Sequence, residues 1–328
     1  MKTPIIILRK RMIARFFCLA LIGVLLWIVW QLCMDVYRTF EGVKPGVRLE
    51  SRLVERMLPA ELVGRIKEMA YLYEREPRNA IYFEETGEVI PAQPGIKVDI
   101  METVRKVRSA PCNAHLRICT ITVKPAITED YFAPVFRGPD GKAGISLTFN
   151  VDWGEEYIPA LLDILNRYRV RATFFLTGSW TRKNTALARK IAAQGHEVAN
   201  HGYSHEHIIG SGRNEVRELI VRNEKLLKEV CGRCALLFAP PYGEWDTMVV
   251  TTAGNLGYRT VLWTIDTVDW QKPLPATIEA RVKARLASGS IILMHPTDPT
   301  VKALPAILNY AASKGFTAMP VTDLLKKE

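Results

Sequence analysis

Residues 143–328 read as an α/β domain of parallel strands joined by crossover helices, behind a small α+β module and one N-terminal apolar helix. Three observations carry this. Short apolar runs alternate with amphipathic stretches through this half of the chain. The conspicuous polar residues sit just past the ends of those runs, where the loops of βα folds converge. A single uncharged apolar stretch near the start of the chain stands apart from both.

The strands are expected at Ile145–Asn150, Ala172–Leu176, Leu236–Ala239, Thr260–Ile265 and Ser290–Met294. Helices are expected at about Ile158–Tyr168, Thr185–Gln194, Asn214–Val230, Asp246–Leu256, Pro275–Ala287 and Val301–Lys314. The pattern suits a closed or nearly closed barrel as well as an open sheet. Past the strand ends come Asn150 and Asp152, His201 and His205, Pro240-Pro241-Tyr242-Gly243, Asp266 to Trp270, and His295.

Phe16–Met34 (FFCLALIGVLLWIVWQLCM) is interrupted only by Gln31. Crossing a hydrocarbon core takes about 20 residues of helix, so this stretch is long enough. Arg9, Lys10, Arg11 and Arg15 precede it, which places residues 1–15 in the cytoplasm, 16–34 in the membrane and the rest outside. A cleaved signal peptide is the competing reading, but no small-x-small site follows closely. The net charge of +10 suits anionic membranes and wall polymers without calling for nucleic acid. Cys112 with Cys119 and Cys231 with Cys234 form local pairs, which outside the cytosol suggests two disulfides.

Residues 41–123 form the module: a helix from Pro59 to about Tyr73, a hairpin around Glu85-Thr86-Gly87, a helix over Lys97–Val107 and a strand over Leu116–Val123. Tyr82 to Asp99, in the form Y-x-x-x-T-G-x-V-I-P-x-x-P-G-x-x-V-D, resembles a module found ahead of transpeptidase-type domains and described as peptidoglycan-binding. The other reading of the module is a spacer. Residues 124–142, punctuated by proline and glycine, read as a linker.

Gly195–His207 (GHEVANHGYSHEH) holds four of the six histidines. If His201 and His205 share a helical turn, their imidazoles converge on one ion. A polar loop with backbone-bonded histidines is the plainer reading, and His196 and His207 are read as structural.

Thr148-Phe149-Asn150-Val151-Asp152, Gly195-His196-Glu197 running into His201-Gly202-Tyr203-Ser204-His205, Pro240-Pro241-Tyr242-Gly243, Asp266-Thr267-Val268-Asp269-Trp270 and Leu293-Met294-His295 follow, in order and spacing, five motifs of a known family. On them, residues 143–328 resemble the polysaccharide deacetylase (NodB-like) domain of carbohydrate esterase family 4. The resemblance implies a distorted (β/α) barrel and metal-dependent hydrolysis of N-acetyl groups from wall or other amino-sugar polymers.

Amide hydrolysis needs a polarised carbonyl and a nucleophile from water, and a divalent ion on two imidazoles and a carboxylate supplies both. His201, His205 and Asp152 are the expected ligands of zinc, cobalt or nickel. The Tyr242 N–H resembles the family's oxyanion donor. His295 is the expected general acid, a duty that suits histidine's ordinary pKa near 6.5, with Asp269 orienting it. Trp270, Trp263, Leu293, Pro241 and Tyr203 are expected to contact the sugar.

Two motifs depart from the family. Its first motif usually reads Thr-Phe-Asp-Asp, a base followed by a ligand, where this chain has Asn150 and Val151. Its third motif normally has an arginine before the two prolines, where this chain has Ala239. The losses are linked, because that arginine pairs with the base and would otherwise be a buried unpaired charge. Asp152 takes the ligand's place, or takes the base's, or the domain keeps only glycan binding. The expected function is thus a membrane-anchored wall-polysaccharide N-deacetylase, with a catalytically silent glycan binder as the alternative.

Overall fold

The computed structural model describes residues 10–141 and 143–326; Lys2 and Arg9 of the basic segment lie outside the described residues. The chain divides into two compact units, one of residues up to Arg78 with Gln93–Lys124, the other of Asn79–Ala92 with Pro125 onward.

In chain order the first part comprises α1 (Lys10–Glu41), β1 (Arg48–Leu49), β2 (Arg52–Leu53), α2 (Pro59–Ala70), β3 (Ile81–Phe83), β4 (Glu88–Ile90), β5 (Gly95–Val98), α3 (Ile100–Ser109), β6 (His115–Leu116) and β7 (Thr120–Val123). Arg15–Glu41 of α1, 27 residues, is long and apolar enough to cross a membrane. The helix expected at Lys97–Val107 instead starts at Ile100: residues 95–98 are spent on β5, antiparallel to β7, and Asp99 caps α3 by accepting Glu102 N–H at 2.9 Å. Leu49, Leu62, Ile66, Val98 and Val107 form the core of this unit.

The hairpin β3–β4 belongs with the second unit. Tyr82 N–H donates to Asn255 Oδ1 (3.1 Å), Asn255 Nδ2 returns a bond to Tyr82 O (3.2 Å), and Arg213 pairs with Glu84 at 2.8 Å. The stretch Tyr82–Asp99 that resembles one module is therefore shared between two cores.

The second unit continues with β8 (Gly144–Val151), α4 (Ile158–Arg167), β9 (Thr173–Leu176), α5 (Gly178–Lys183), α6 (Thr185–Ala193), β10 (Glu197–Asn200), α7 (Arg213–Cys231), β11 (Ala235–Phe238), α8 (Thr247–Asn255), β12 (Arg259–Thr260), β13 (Ile265–Asp266), α9 (Pro275–Arg285), β14 (Ile291–Met294), α10 (Asp298–Ser313), β15 (Thr317–Ala318) and α11 (Val321–Leu324). The eight-stranded sheet runs β12-β11-β10-β9-β8-β14-β13, with β15 also on β8, and all its ladders are parallel. It curls as a distorted βα half-barrel. Both faces are covered, so β8, β9 and β14 are buried along their whole length.

Three sequence expectations change. β10 was missed because Glu197–Asn200 is short and follows a polar Gly-His pair. The run Thr260–Ile265 splits into β12 and β13, and no ladder joins these among the described residues, which leaves a seam. The expected linker fills it: Val135 N–H donates to Thr260 O and Leu262 N–H to Val135 O, both at 2.8 Å, while Arg137 bridges to Ser290. The expected disulfides are also absent, all six cysteines being free thiols. Cys231 and Cys234 instead pack against the apolar core, and burial raises their pKa values to about 11 and about 12.

His196 is held in place by the fold around it. It is 2% exposed, its Nδ1 accepts Ala172 N–H at 3.2 Å, and its ring stands edge-on to Phe174. Burial, then the charge of Arg171, lowers its pKa to about 4. An unfolded histidine titrates near 6.5, so the unfolded chain takes up the proton first and the fold loses stability as pH falls from about 6.5 toward 4. In urea titrations across that window, His196→Gln will remove a contribution of about 3 kcal/mol at most from the fall in stability. An unchanged slope would assign the titration elsewhere.

Candidate active site

The site is built where the strands end. Side chains alternate along β8, so Asn150 and Asp152 face a cavity of about 520 Å³ while Val151 between them is buried in the core. The slot that would carry a second carboxylate is thus an apolar core position.

At the end of β10, the fully buried Asn200 directs the next turn. Its Nδ2 donates to Ile220 O (2.9 Å), and its Oδ1 accepts from Gly202 N–H and Asn223 Nδ2, both at 2.8 Å. Gly202 has φ +80°, a left-handed conformation that glycine adopts without strain. Residues 201–205 are consequently a loop, which corrects the expected helical turn. The loop still converges the two imidazoles, with ring centroids 5.1 Å apart.

His201 is 2% exposed and donates Nδ1–H to Ala239 O at 2.7 Å, which leaves Nε2 as the lone-pair nitrogen. Burial, then the neighbouring His205, lowers its pKa to about 3, so the ring is neutral. His205 is lowered as well, chiefly by burial, with the Asp152 carboxylate opposing the shift.

Past β11 the turn Pro240-Pro241-Tyr242-Gly243 closes through Gly243 N–H to Pro240 O (3.0 Å) and Glu244 N–H to Pro241 O (3.1 Å). Tyr242 itself has φ +56° and its N–H takes no part in that closure. Such a conformation costs a non-glycine residue of order 1 kcal/mol and persists only where its surroundings impose it. Its ring meets His205 edge-on at 4.3 Å and stacks on His207 at 4.1 Å.

Asp269 lies behind the cavity wall, fully buried. It accepts His295 N–H (2.7 Å), His295 Nδ1–H (2.8 Å) and the Thr300 hydroxyl (2.5 Å). His295 lines the cavity with its other ring nitrogen unspent by this pair. Trp153 lies parallel to it, centroids 6.0 Å apart at 4°. Trp263, Trp270, Asp266 and Leu293 complete the wall.

Two expected contact residues lie outside the lining. Pro241 is buried within the turn. Tyr203 is trapped beneath the Arg222 guanidinium, 3.6 Å from its ring centroid, and against Gly178, where a β-carbon would come within 2.5 Å of the ring. The sequence reading missed Trp153, Thr177, Ser179 and Thr300. Trp153 follows Asp152 directly and could have been found from that adjacency. Thr300 reads in sequence only as part of the start of α10, so nothing marked it.

The donor types fit a divalent ion: a neutral imidazole fixed by a backbone carbonyl, a second beside it, and a carboxylate in the same cavity. The assembly is incomplete. Asp152 Oδ1 already accepts the Thr177 hydroxyl (2.7 Å) and the Ser179 hydroxyl (3.2 Å), and no three His, Cys, Asp or Glu side chains group closely enough to hold an ion among the described residues.

A curled parallel sheet whose loops bring imidazoles, carboxylates and indoles to one cavity defines a βα half-barrel with its cleft at the carboxyl ends of the strands. Residues 137–261 match the polysaccharide deacetylase family. The chain is 34% identical to a peptidoglycan-N-acetylglucosamine deacetylase of Bacillus cereus over 60% of its own length and 74% of that protein. It is 35% identical to the uncharacterised Bacillus subtilis protein YlxY over 77% of its own length and 80% of that protein. It resembles the solved structure of BA3943, a CE4 family pseudoenzyme from Bacillus anthracis, at TM-score 0.59 and 31% identity, covering 81% of this chain and 95% of that one. A BA3943 mutant with restored enzymatic activity matches at the same TM-score. The chain belongs to the polysaccharide deacetylase family.

Asp269→Ala leaves two N–H donors and a hydroxyl without their acceptor and will destabilise the protein by about 3 kcal/mol in chemical denaturation, against about 1 kcal/mol for Thr300→Val. Equal stabilities would mean the buried carboxylate does not hold the loop.

Proposed function

We propose that the chain binds an N-acetylated cell-wall glycan, of peptidoglycan type, in a deacetylase cleft whose hydrolytic machinery is incomplete. The observation that carries this is the end of β8. Asn150 faces the cavity where the family places its base, Val151 is turned into the core, and Ala239 supplies no partner arginine. An amide takes no proton at neutral pH, and loss of a general base typically costs about 100- to 10,000-fold in rate. The likeness to a CE4 pseudoenzyme, over 95% of that chain, supports the same reading.

The walls suit a sugar. Trp153 and Trp270 are 39% and 51% exposed at the cavity and offer flat apolar faces, while Asn150, Asp152 and Asp266 offer polar groups to hydroxyl and acetamide. The Tyr242 N–H, unspent in closing its turn, would donate to the acetamide oxygen.

A second reading, slow N-deacetylation, is favoured by one specific observation: the His295–Asp269 pair is intact. In that reading His295 protonates the departing amine, Asp269 holds its ring, and the Tyr242 N–H stabilises the oxyanion. His201 and His205, with Asp152, would hold a divalent ion such as zinc, cobalt or nickel, whose contribution is Lewis-acid polarisation of the carbonyl.

The chain acts outside the cell, anchored by the apolar part of α1 with its N-terminus cytoplasmic, on the charge pattern around that segment. The first unit serves as a wall-binding module or spacer. Its partner is wall polysaccharide, with no nucleic acid.

The test is acetate release from N-acetylglucosamine oligomers by the full chain in detergent, with zinc or cobalt added. Wild type will bind the oligomers and release acetate at least 100-fold more slowly than combined N150D and A239R, the lower end of a base's typical contribution. Wild-type turnover rivalling the double variant would overturn the silent reading in favour of the slow enzyme.

A further inference from the structure

A second cavity, of about 600 Å³, opens at the amino ends of β10, β11 and β12, at the other end of these strands from the glycan cleft. Arg171, Arg233, Arg259, His196 and Lys326 line it, against Glu197 and Asp323. The two carboxylates are already engaged. Glu197 Oε2 accepts the Thr173 hydroxyl (2.7 Å) and Thr322 N–H (3.3 Å), and Asp323 Oδ1 accepts Lys326 Nζ (2.6 Å).

Arg233 is engaged too, its Nη2 donating to Ala192 O (2.8 Å) and His196 O (3.3 Å). Arg259 pairs with Asp130 through Nη2 at 3.1 Å, yet its buried Nε–H has no acceptor among the described residues. An unmet buried donor ordinarily costs about 1–3 kcal/mol, so its persistence calls for an explanation. His196 adds another donor: with Nδ1 accepting Ala172 N–H, the neutral ring carries its proton on Nε2. Burial chiefly, and then the like charge of Arg171, keeps this ring neutral.

We propose that this cavity binds an anionic ligand of the phosphate class, held by the Arg171 and Arg259 guanidiniums with His196 at its base. Guanidinium forks match phosphate oxygens in bidentate geometry. The size is that of an organic ligand site and larger than a bare ion needs, so the ligand is an organic phosphate ester. Two sources share that chemistry, a free phosphate ester and the repeating unit of a phosphodiester wall polymer. The site is independent of the glycan cleft and does not rest on the function proposed there.

The full chain in detergent is titrated calorimetrically with glycerol 3-phosphate, with inorganic phosphate and with a polyglycerol phosphate. Saturable binding of the ester is expected, weakened severalfold between 50 and 200 mM salt, since exposed charge pairs are screened over about 10 Å at 0.1 M. Arg171→Gln and Arg259→Gln will each weaken it about tenfold while leaving N-acetylglucosamine oligomer binding unchanged. Arg259 is tied to Asp130, so the exposed Arg171 provides the variant that keeps the fold. Tighter binding of the polymer than of the ester assigns the source as wall polymer; the reverse assigns the free ester. No saturable binding, or binding unaltered by Arg171→Gln, overturns the proposal.

Discussion

One buried amide governs the cleft. Asn200 ends β10 in a parallel sheet, where the backbone must leave the ladder without stranding its polar groups. Its side chain fastens α7 through Ile220 O and Asn223, and turns the chain at Gly202. Asn223 passes the constraint to β9 through Leu176 O, and Ala239 N–H closes it on the main-chain oxygen of Asn200. Apart from the local bond to Gly202, these contacts cross between elements distant in sequence. His201 and His205 project from the turn so fixed, and the carbonyl that selects the His201 tautomer belongs to the same Ala239. A buried polar network held from several elements specifies one arrangement more sharply than apolar packing does, although Asn223 Oδ1 has no partner here among the described residues.

The departures from the family make electrostatic sense as a set. An aspartate at position 150 would need a cation nearby, and an arginine at 239 would need an anion. Ala239 is 3% exposed among Phe175, Leu237 and Val261, so a lone arginine there would be a buried uncompensated charge. Neutral Asn150 and apolar Ala239 remove both demands together. Val151 goes further, adding a core contact where a ligand would otherwise emerge. The resulting cleft retains His201, His205 and Asp152, with Asp152 Oδ1 accepting the Thr177 and Ser179 hydroxyls.

The βα architecture was legible because buried parallel strands are continuous apolar runs, as in Ile291–Met294. Prolines mark helix starts too: Pro159, Pro275 and Pro299 each fall in the first turn of a helix. β10 was not legible, since four residues ending in a buried asparagine carry no strand signature. The seam-filling role of Val135 was also hidden. A segment rich in proline and glycine reads as linker, and only the split between β12 and β13 creates the edge that it pairs with. Within the site, loop-borne His201, His205, Tyr242 and His295 could be read from residue type and order. Tyr203 could not be placed, because an aromatic beside two histidines looks the same whether it faces a ligand or, as here, a glycine and an arginine. Its fate was decided by Gly178 and Arg222, remote in sequence.

Binding and hydrolysis make separable demands on this fold. Binding needs walls and fixed donors, which come from the turns after β11, β13 and β14: Tyr242 in its left-handed conformation, Trp270, and His295 backed by Asp269. Hydrolysis adds a proton acceptor, which the family takes from the end of β8. Since these groups sit on different strands and share no hydrogen bond among the described residues, the acceptor can be replaced by an amide without disturbing the walls. A buried carboxylate with three donors and a strained tyrosine are costly features for a domain whose stability is already supplied by its core. Their retention beside a neutral Asn150 shows that the end of β8 can change while the turns after β11, β13 and β14 keep their geometry.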